Sequence, residues 1–278
     1  MLPHDHGTTR TYSLDSMSDA SHADEIRELL SFATDLAHRA GDLTLEYFGG
    51  IVEHDAKGDG SPVTVADKGA EELIRAAVEA RHPEHSILGE EYGESNEGAR
   101  VRWILDPIDA TRSFMHGVPL YGVLIGIEIE GESAVGVSHF PPLRETVAAG
   151  RGLGCTWNGR PCSVSKVATI EEAVITTTDV ERLLSRPEGP GWRRLQQRCA
   201  FSRTWGDCYG HALVATGRTE AQVDPLMAPW DAGPFLTILT EAGGRFTTRE
   251  GEETVHGGSG ISSNGLLHDE ILRELTAG

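Results

Sequence analysis

Apolar residues recur at helical spacing over the first part of the chain, at Ile26, Leu29, Leu30, Ala33, Ala37, Ala40 and Phe48. This period predicts one long amphipathic helix that ends before two consecutive glycines. Ser21 and Asp24 form a capping-box pattern and place the start of this helix close to residue 21. The same period predicts a second helix, which begins near Asp67 and ends before Pro83 because proline cannot continue a helix.

From residue 85 onward the apolar period changes from that of a helix to that of a strand. Short β-branched runs separated by Gly, Asp and Pro predict strands at 85–88, 101–105, 120–129, 134–140 and 146–149. After about residue 168 predicted helices and strands alternate, and one of these helices runs from Asp231 to Ala242. This mixture predicts an α/β or α+β fold of packed layers. We divide the chain into a flexible tail (residues 1–21), an N-terminal α+β lobe (22–168) and a C-terminal α/β lobe (169–278).

The charge of the chain narrows the classes of partner. Its 24 basic and 43 acidic residues give a formal net charge of −19. A field of this sign attracts metal cations and repels nucleic acid and anionic membranes, so we expect neither of the latter as a partner. No apolar run is long enough to span a bilayer, the polar N-terminus lacks the apolar segment of a secretory signal, and the four cysteines lack zinc-site spacing. We therefore expect a cytoplasmic protein.

The segment Trp103–Thr111 carries the most informative chemistry. Its apolar strand runs directly into Asp106 and Asp109, and Pro107 between them disfavours a helix. Both carboxylates and the carbonyl of Ile108 can then face one point, and three such oxygen donors suit magnesium or manganese better than zinc. A surface turn would use the same residue types, but the apolar run before Asp106 argues against full exposure.

Two further acidic residues stand where a predicted strand ends or a predicted helix begins. Glu90 follows the apolar run at 86–88, and Asp231 stands at the head of an apolar helix. Each has an ordinary alternative, a solvated strand end for Glu90 and an N-cap for Asp231. Open α/β sheets gather their ligands at such positions. Carboxylates about 4 Å apart repel by roughly 4 kcal/mol per pair at an effective dielectric near 20, so a cluster of them requires cations or protons.

Three motifs in order along the chain are similar to those of a known family: Gly89-Glu-Glu91, Asp106-Pro-Ile-Asp-Ala-Thr111 and Trp230-Asp-Ala-Gly233. They resemble the signature motifs of the inositol monophosphatase superfamily, and the resemblance covers about residues 22–277. It implies a layered αβαβα sandwich. It also implies a magnesium-dependent, lithium-sensitive phosphomonoesterase that acts on a small-molecule phosphate monoester as a homodimer.

The resemblance also implies roles for single residues. The implied metal ligands are the Ile108 carbonyl and the side chains of Glu90, Asp106, Asp109 and Asp231, together with Asp67 as the family's third acidic site. Glu90, Thr111 and Asp67 would act in catalysis by orienting the attacking water, and Lys57 resembles the family's loop lysine. Five carboxylates and a phosphate monoester carry about seven negative charges, which two or three Mg²⁺ ions, or Mn²⁺ in their place, would largely balance.

One position departs from the family pattern. Ala110 stands where the family usually has glycine. Alanine keeps its N–H, so the amides of Ala110 and Thr111 can still bind the substrate phosphate at a helix start. Only an obligatory positive φ at Ala110 would exclude this binding.

Weaker similarities suggest the substrate. The segments Ser113–Tyr121 and Trp205–Tyr209 look more like the histidinol-phosphatase branch than the inositol branch, and Asp224 stands where the family places an acidic contact to the leaving group. Histidinol phosphate carries an ammonium group and an imidazole, so Asp207 and Asp224 can each accept a charge-assisted hydrogen bond. Inositol phosphate and a 3′-phosphoadenosine-type nucleotide remain alternative substrates. An alternative of another class is a non-catalytic regulatory protein that binds magnesium or phosphate.

Overall fold

The computed structural model describes the backbone of residues 14–50, 54–56 and 62–277, and the side chains of residues 22–50 and 63–277. Lys57 and residues 1–13 of the predicted tail lie outside the described residues. In the described part of the chain the helices are α1 (Leu14–Leu45), α2 (Val65–Arg81), α3 (Thr111–Met115), α4 (Val180–Leu184), α5 (Gly189–Arg198), α6 (Asp207–Ala215), α7 (Pro229–Ala232), α8 (Phe235–Glu241) and α9 (His268–Thr276).

The strands of the same part follow the runs of β-branched and apolar residues. They are β1 (His54–Ala56), β2 (Pro62–Thr64), β3 (Ser86–Gly89), β4 (Gly93–Ser95), β5 (Val101–Asp109), β6 (Gly122–Ile129), β7 (Glu132–Phe140), β8 (Glu145–Gly150), β9 (Gly154–Trp157), β10 (Arg160–Pro161), β11 (Val174–Thr176), β12 (Phe201–Arg203), β13 (Ala221–Asp224), β14 (Arg245–Thr247) and β15 (Gly260–Ser263). Each strand predicted between residues 85 and 149 is present, with bounds that differ by a few residues.

Two helices differ from their predictions. α1 begins at Leu14, so part of the tail predicted over residues 1–21 is helical. The apolar pattern starts only at Ile26, which packs in the core beneath α1, and so contains no signal for the turns before it. The single helix predicted from Asp231 is two helices, α7 and α8, because Pro234 between them has no N–H to continue the first.

Two sheets form the framework of the fold. The larger has the strand order β10-β9-β8-β7-β6-β5-β3-β4, and the smaller has the order β12-β11-β13-β15-β14. α1 and α2 cover one face of the larger sheet, α6 and α8 lie between the two sheets, and α5 and α9 cover the outer face of the smaller sheet. This order of layers confirms the predicted αβαβα sandwich, whereas the division into lobes at residue 168 stays a prediction. No helix within the described residues combines the length and the apolar character that a membrane span requires.

Two glycines let the backbone before α8 lie directly against the larger sheet. Gly126 of β6 and Gly136 of β7 are cross-strand partners. A Cβ atom on Gly126 would lie 2.5 Å from the carbonyl oxygen of Gly233, and a Cβ atom on Gly136 would lie 2.1 Å from that of Pro234. This close approach keeps α7, and with it Asp231, against β5.

Replacement of Gly136 by alanine should lower the free energy of unfolding by about 1–3 kcal/mol, because the added methyl group overpacks the contact with Pro234. Gly69→Ala is the matched control. Its Cβ atom would lie 3.6 Å from Leu43, and alanine inside a helix such as α2 is more stable than glycine by about 1 kcal/mol. Chemical denaturation measures both changes, and equal effects of the two substitutions would contradict the close contact at Gly136.

Candidate active site

A bulge in β5 turns Asp106 and Asp109 toward the same side of the sheet. Asp106 lies opposite Leu124 of β6 and Asp109 lies opposite Gly122, so three steps along β5 match two along β6. Residues three apart in a regular strand face opposite sides, and the extra residue of a bulge removes this difference. The N–H of Ile108 donates to Oδ1 of Asp106 at 3.1 Å and holds the intervening turn.

Glu90 and Asp231 reach the same place from two other elements. β3 runs parallel to β5, and Glu90 follows its last residue, beside Asp106. Asp231 lies in the first turn of α7, where its Oδ2 accepts the N–H of Ala228 at 2.7 Å. The N-cap of α7 is Ala228 and not Asp231, so the N-cap alternative for Asp231 is wrong. One carboxylate oxygen from each of Asp106, Asp109 and Asp231 lies within 4.8 Å of the other two. These three residues are called the carboxylate cluster below.

Burial and mutual repulsion raise the pKa values of these carboxyl groups. The pKa of Asp106 is raised well above its usual range by burial and then by the charge of Glu90. The pKa of Asp109 is also raised well above its usual range, by burial and then by the charge of Asp207. Burial raises the pKa of Asp231 to about 7. The ionised cluster therefore needs cations, and its carboxylate oxygens are the ligands that Mg²⁺ and Mn²⁺ prefer.

The loop after β3 is held by a buried carboxylate, Glu71, that the motif analysis missed. Glu71 of α2 is fully buried and accepts the backbone N–H of Glu91 at 2.8 Å and that of Tyr92 at 3.3 Å. Its carboxylate fills the space beside Gly89, where a Cβ atom would lie 1.9 Å from Oε1. Glu71 stands one helical turn after Asp67 on the same face of α2, and this spacing is the signal that could have identified it.

A cavity of about 420 Å³ lies beside the carboxylate cluster, and its wall includes Glu90, Asp109, Asp231, Asp207 and Asp224. Asp224 is held from three sides. Its Oδ1 accepts the N–H of Thr178 at 3.0 Å, and its Oδ2 lies 2.7 Å from Nε2 of Gln222 and 3.1 Å from Nε2 of His211. Asp207 begins α6, where burial and then the charge of Asp224 raise its pKa to about 7. Thr178, Gln222 and His211 were missed by the sequence analysis.

Other predicted residues have different surroundings. Asp67 is fully buried at the start of α2, where its Oδ2 accepts the N–H of Thr64 at 2.7 Å. The hydroxyl of Thr111 donates to the carbonyl of Ile108 at 3.1 Å. Among the residues that the structure describes, neither Asp67 nor Thr111 lines the cavity, and Asp67 lies outside the carboxylate cluster. Their roles in catalysis stay predictions.

Ala110 adopts the left-handed conformation, with a φ of 66° and a ψ of 46°, directly before α3. From the sequence we expected that a positive φ at Ala110 would exclude phosphate binding by the amides of Ala110 and Thr111. This expectation is too strong. The left-handed conformation costs an L-residue about 1–2 kcal/mol, but Ala110 keeps its N–H. Glycine at this position would avoid the cost.

Comparison with known proteins leads to the same family as the motifs. The model of the Inositol monophosphatase family matches residues 25–277. A histidinol-phosphatase of Chlorobaculum parvum is 43% identical over 251 residues, which cover 90% of this chain and 97% of that protein. A histidinol-phosphatase of Mycobacterium tuberculosis is 36% identical over 264 residues, which cover 90% of this chain and 98% of that protein.

The fold has a close counterpart among solved structures. The crystal structure of the extragenic suppressor protein suhB from Bartonella henselae matches this chain with a TM-score of 0.84 at 28% identity, over 90% of this chain and 99% of that one. The family match includes all three motifs on which the resemblance was based. The resemblance is confirmed, and the chain belongs to the inositol monophosphatase family.

Proposed function

We propose that this protein hydrolyses histidinol phosphate to histidinol and inorganic phosphate, a step of histidine biosynthesis. The observation that carries the proposal is that one cavity is lined both by Asp109 and Asp231 of the carboxylate cluster and by Asp207 and Asp224. The relatives named histidinol-phosphatase support the same substrate. The reaction class is phosphoric monoester hydrolysis, as in the family to which the chain belongs.

The donor set fits two or three magnesium ions, with manganese as an alternative. The groups that would hold them are the Ile108 carbonyl and the carboxylates of Glu90, Asp106, Asp109 and Asp231, with Asp67 toward a further ion. When bound, such ions polarise the phosphoryl group and lower the pKa of a water molecule. The chain's own contribution is to keep several buried carboxylates at one place despite their repulsion.

Other residues would hold the water and the ester. We assign Glu90 and Thr111 to the orientation of the attacking water, with support from Asp67, and the amides of Ala110 and Thr111 to the phosphate. Asp207 and Asp224 accept charge-assisted hydrogen bonds from the ammonium and imidazole of the leaving group. Inositol brings only hydroxyl groups, and the adenosine of a 3′-phosphate ester has no cationic group, so both provide these carboxylates with weaker partners.

We also propose that the protein is a homodimer, as the family resemblance implies, and that it is cytoplasmic. Its four cysteines are free thiols in the structure, which suits a reducing compartment. Its net charge of −19 repels nucleic acid and anionic membrane surfaces, and we propose neither as a partner. The proposed partner is a small phosphate monoester.

Phosphate release from three esters tests the substrate. With Mg²⁺ present, we expect kcat/KM for histidinol phosphate to exceed that for inositol 1-phosphate and for adenosine 3′-phosphate by at least about tenfold, because a hydrogen bond to a charged group contributes about 1.5–3 kcal/mol. EDTA should abolish release from every ester. Release that EDTA does not change would contradict the metal site, and no release from any ester would favour the non-catalytic alternative.

Asp106→Asn should lower kcat by about a thousandfold or more while the fold survives. Asparagine keeps the oxygen that accepts the N–H of Ile108 and removes one charge from the cluster, so the metal-free protein should not lose stability. Asp35→Asn, at an exposed position of α1, is the control and should change neither quantity appreciably. Steady-state kinetics and thermal unfolding check both variants; near-normal turnover of Asp106→Asn at saturating Mg²⁺ would remove Asp106 from the mechanism.

Without metal, the carboxyl groups of Asp207 and Asp231 should destabilise the protein as the pH rises from about 4 to about 7. Their pKa values are raised from 3.8 to about 7 in the folded state. Burial lowers the pKa values of His139 and His268 to about 4, and those two groups have the opposite dependence on pH. At Asp207 and Asp231 the folded state binds more protons than the unfolded state over this window, so their contribution to stability falls with pH. Mg²⁺ replaces these protons, so millimolar Mg²⁺ should raise the Tm more at pH 8 than at pH 5. Thermal unfolding in EDTA and in Mg²⁺ checks this, and a Mg²⁺-dependent rise in Tm that is as large at pH 5 as at pH 8 would contradict it.

A further inference from the structure

Thr178, two residues after β11, lies between the two acidic residues that the proposed substrate contacts. Its hydroxyl oxygen accepts the backbone N–H of Asp207 at 2.6 Å, and its own N–H donates to Oδ1 of Asp224 at 3.0 Å. One residue is therefore bonded to both acidic residues, to Asp207 through its side chain and to Asp224 through its backbone.

The bond to Asp207 satisfies an N–H group that has no partner within its own helix. The N–H of Asp207 is the first of α6, and the first N–H groups of a helix have no intrahelical acceptor. Asp207 also has a φ of 51°, in the left-handed region that costs a non-glycine residue about 1–2 kcal/mol. The hydroxyl of Thr178 thus stabilises the conformation from which the Asp207 carboxylate faces the cavity.

The same hydroxyl is connected to Asp224 by a second route. Nε2 of Gln222 lies 3.3 Å from the hydroxyl oxygen of Thr178 and donates to Oδ2 of Asp224 at 2.7 Å. The packing around this hydroxyl is tight, since a Cβ atom on Gly206 would lie 2.2 Å from Cα of Thr178. A change at the Thr178 hydroxyl is therefore transmitted to both carboxylates.

We propose that Thr178 is a positioning residue that sets the spacing between Asp207 and Asp224. The spacing selects a leaving group that carries two nitrogen donors, one for each carboxylate. This inference rests on the proposed function and deepens it, because it names the feature that distinguishes an alcohol with an ammonium group and an imidazole from a neutral one. A neutral leaving group has no cationic donor to pair with either carboxylate, so its binding depends less on their spacing.

The neighbouring residue provides a matched control. Thr177 is fully buried, and its hydroxyl has no hydrogen-bond partner among the described residues. Thr177→Val and Thr178→Val make the same chemical change one position apart, but only the second removes bonds that hold the acidic pair. Thr178→Ser keeps the hydroxyl and tests whether its oxygen is the group that acts.

Steady-state kinetics with histidinol phosphate and with glycerol 2-phosphate, the ester of a neutral alcohol, test the proposal. For Thr178→Val we expect the KM for histidinol phosphate to rise about tenfold or more with a smaller change in kcat, and both constants for glycerol 2-phosphate to stay within about twofold. Thr178→Ser should keep the KM for histidinol phosphate within about threefold of the original protein, and Thr177→Val should match the original with both esters. Thermal unfolding monitors the fold of each variant, and Thr178→Ala replaces the valine variant if that one does not fold.

Several outcomes would overturn the proposal. An equal loss with both esters in Thr178→Val would assign Thr178 to the fold alone, and an equal loss in Thr178→Ser would exclude its hydroxyl. The same selective loss in Thr177→Val would exclude a role specific to Thr178. If the unmodified protein hydrolyses glycerol 2-phosphate but not histidinol phosphate, the proposed function fails, and this inference fails with it.

Discussion

The mutual repulsion of buried carboxylates is the constraint that the contacts around the carboxylate cluster must overcome. Asp106, Asp109 and Asp231 bring their oxygens within 4.8 Å of one another, and unit charges about 4 Å apart repel by roughly 4 kcal/mol at an effective dielectric near 20. One such pair is comparable to a large part of the net stability of a domain. The surrounding contacts must therefore hold these groups together until cations bind.

Backbone N–H groups supply much of that restraint. Each aspartate of the carboxylate cluster accepts one backbone N–H, from Ile108, Cys208 or Ala228. The carboxylate of Glu71 forms bonds of the same kind next to the cluster. It accepts the N–H groups of Glu91 and Tyr92, the two residues that follow Glu90. Every residue except proline has a backbone N–H. A donor residue in these bonds can therefore be replaced by any residue except proline without loss of its N–H. The contact of the α7–α8 turn with Gly126 and Gly136 adds a restraint of the same kind, backbone against backbone.

Periodicity was enough to locate the five strands predicted between residues 85 and 149, because burial determines the period, and the motifs mark the acidic residues at the ends of elements. The short strands β1, β2 and β4 were not predicted. The layered order came from the family resemblance. Periodicity and the motifs did not identify Glu71, for which the spacing from Asp67 was the available signal, or Thr178, whose partners are distant in the chain. No local pattern distinguishes Thr178 from Thr177 beside it, whose hydroxyl has no hydrogen-bond partner among the described residues. The bulge between Asp106 and Asp109 could not be predicted from the sequence either, because a bulge is defined by the pairing of β5 with β6 and not by β5 alone.

The bulge also explains how a proline can stand inside a central strand. Pro107 lies in the interrupted part of the β5–β6 ladder, between the pairs formed by Asp106 and Asp109, and proline inside a sheet is confined to edges and bulges. If β5 shifted by one residue against its neighbour, Pro107 would enter the regular ladder, where it cannot donate a hydrogen bond. The residue that shapes the turn between two acidic side chains thereby also penalises misaligned pairing while the sheet assembles.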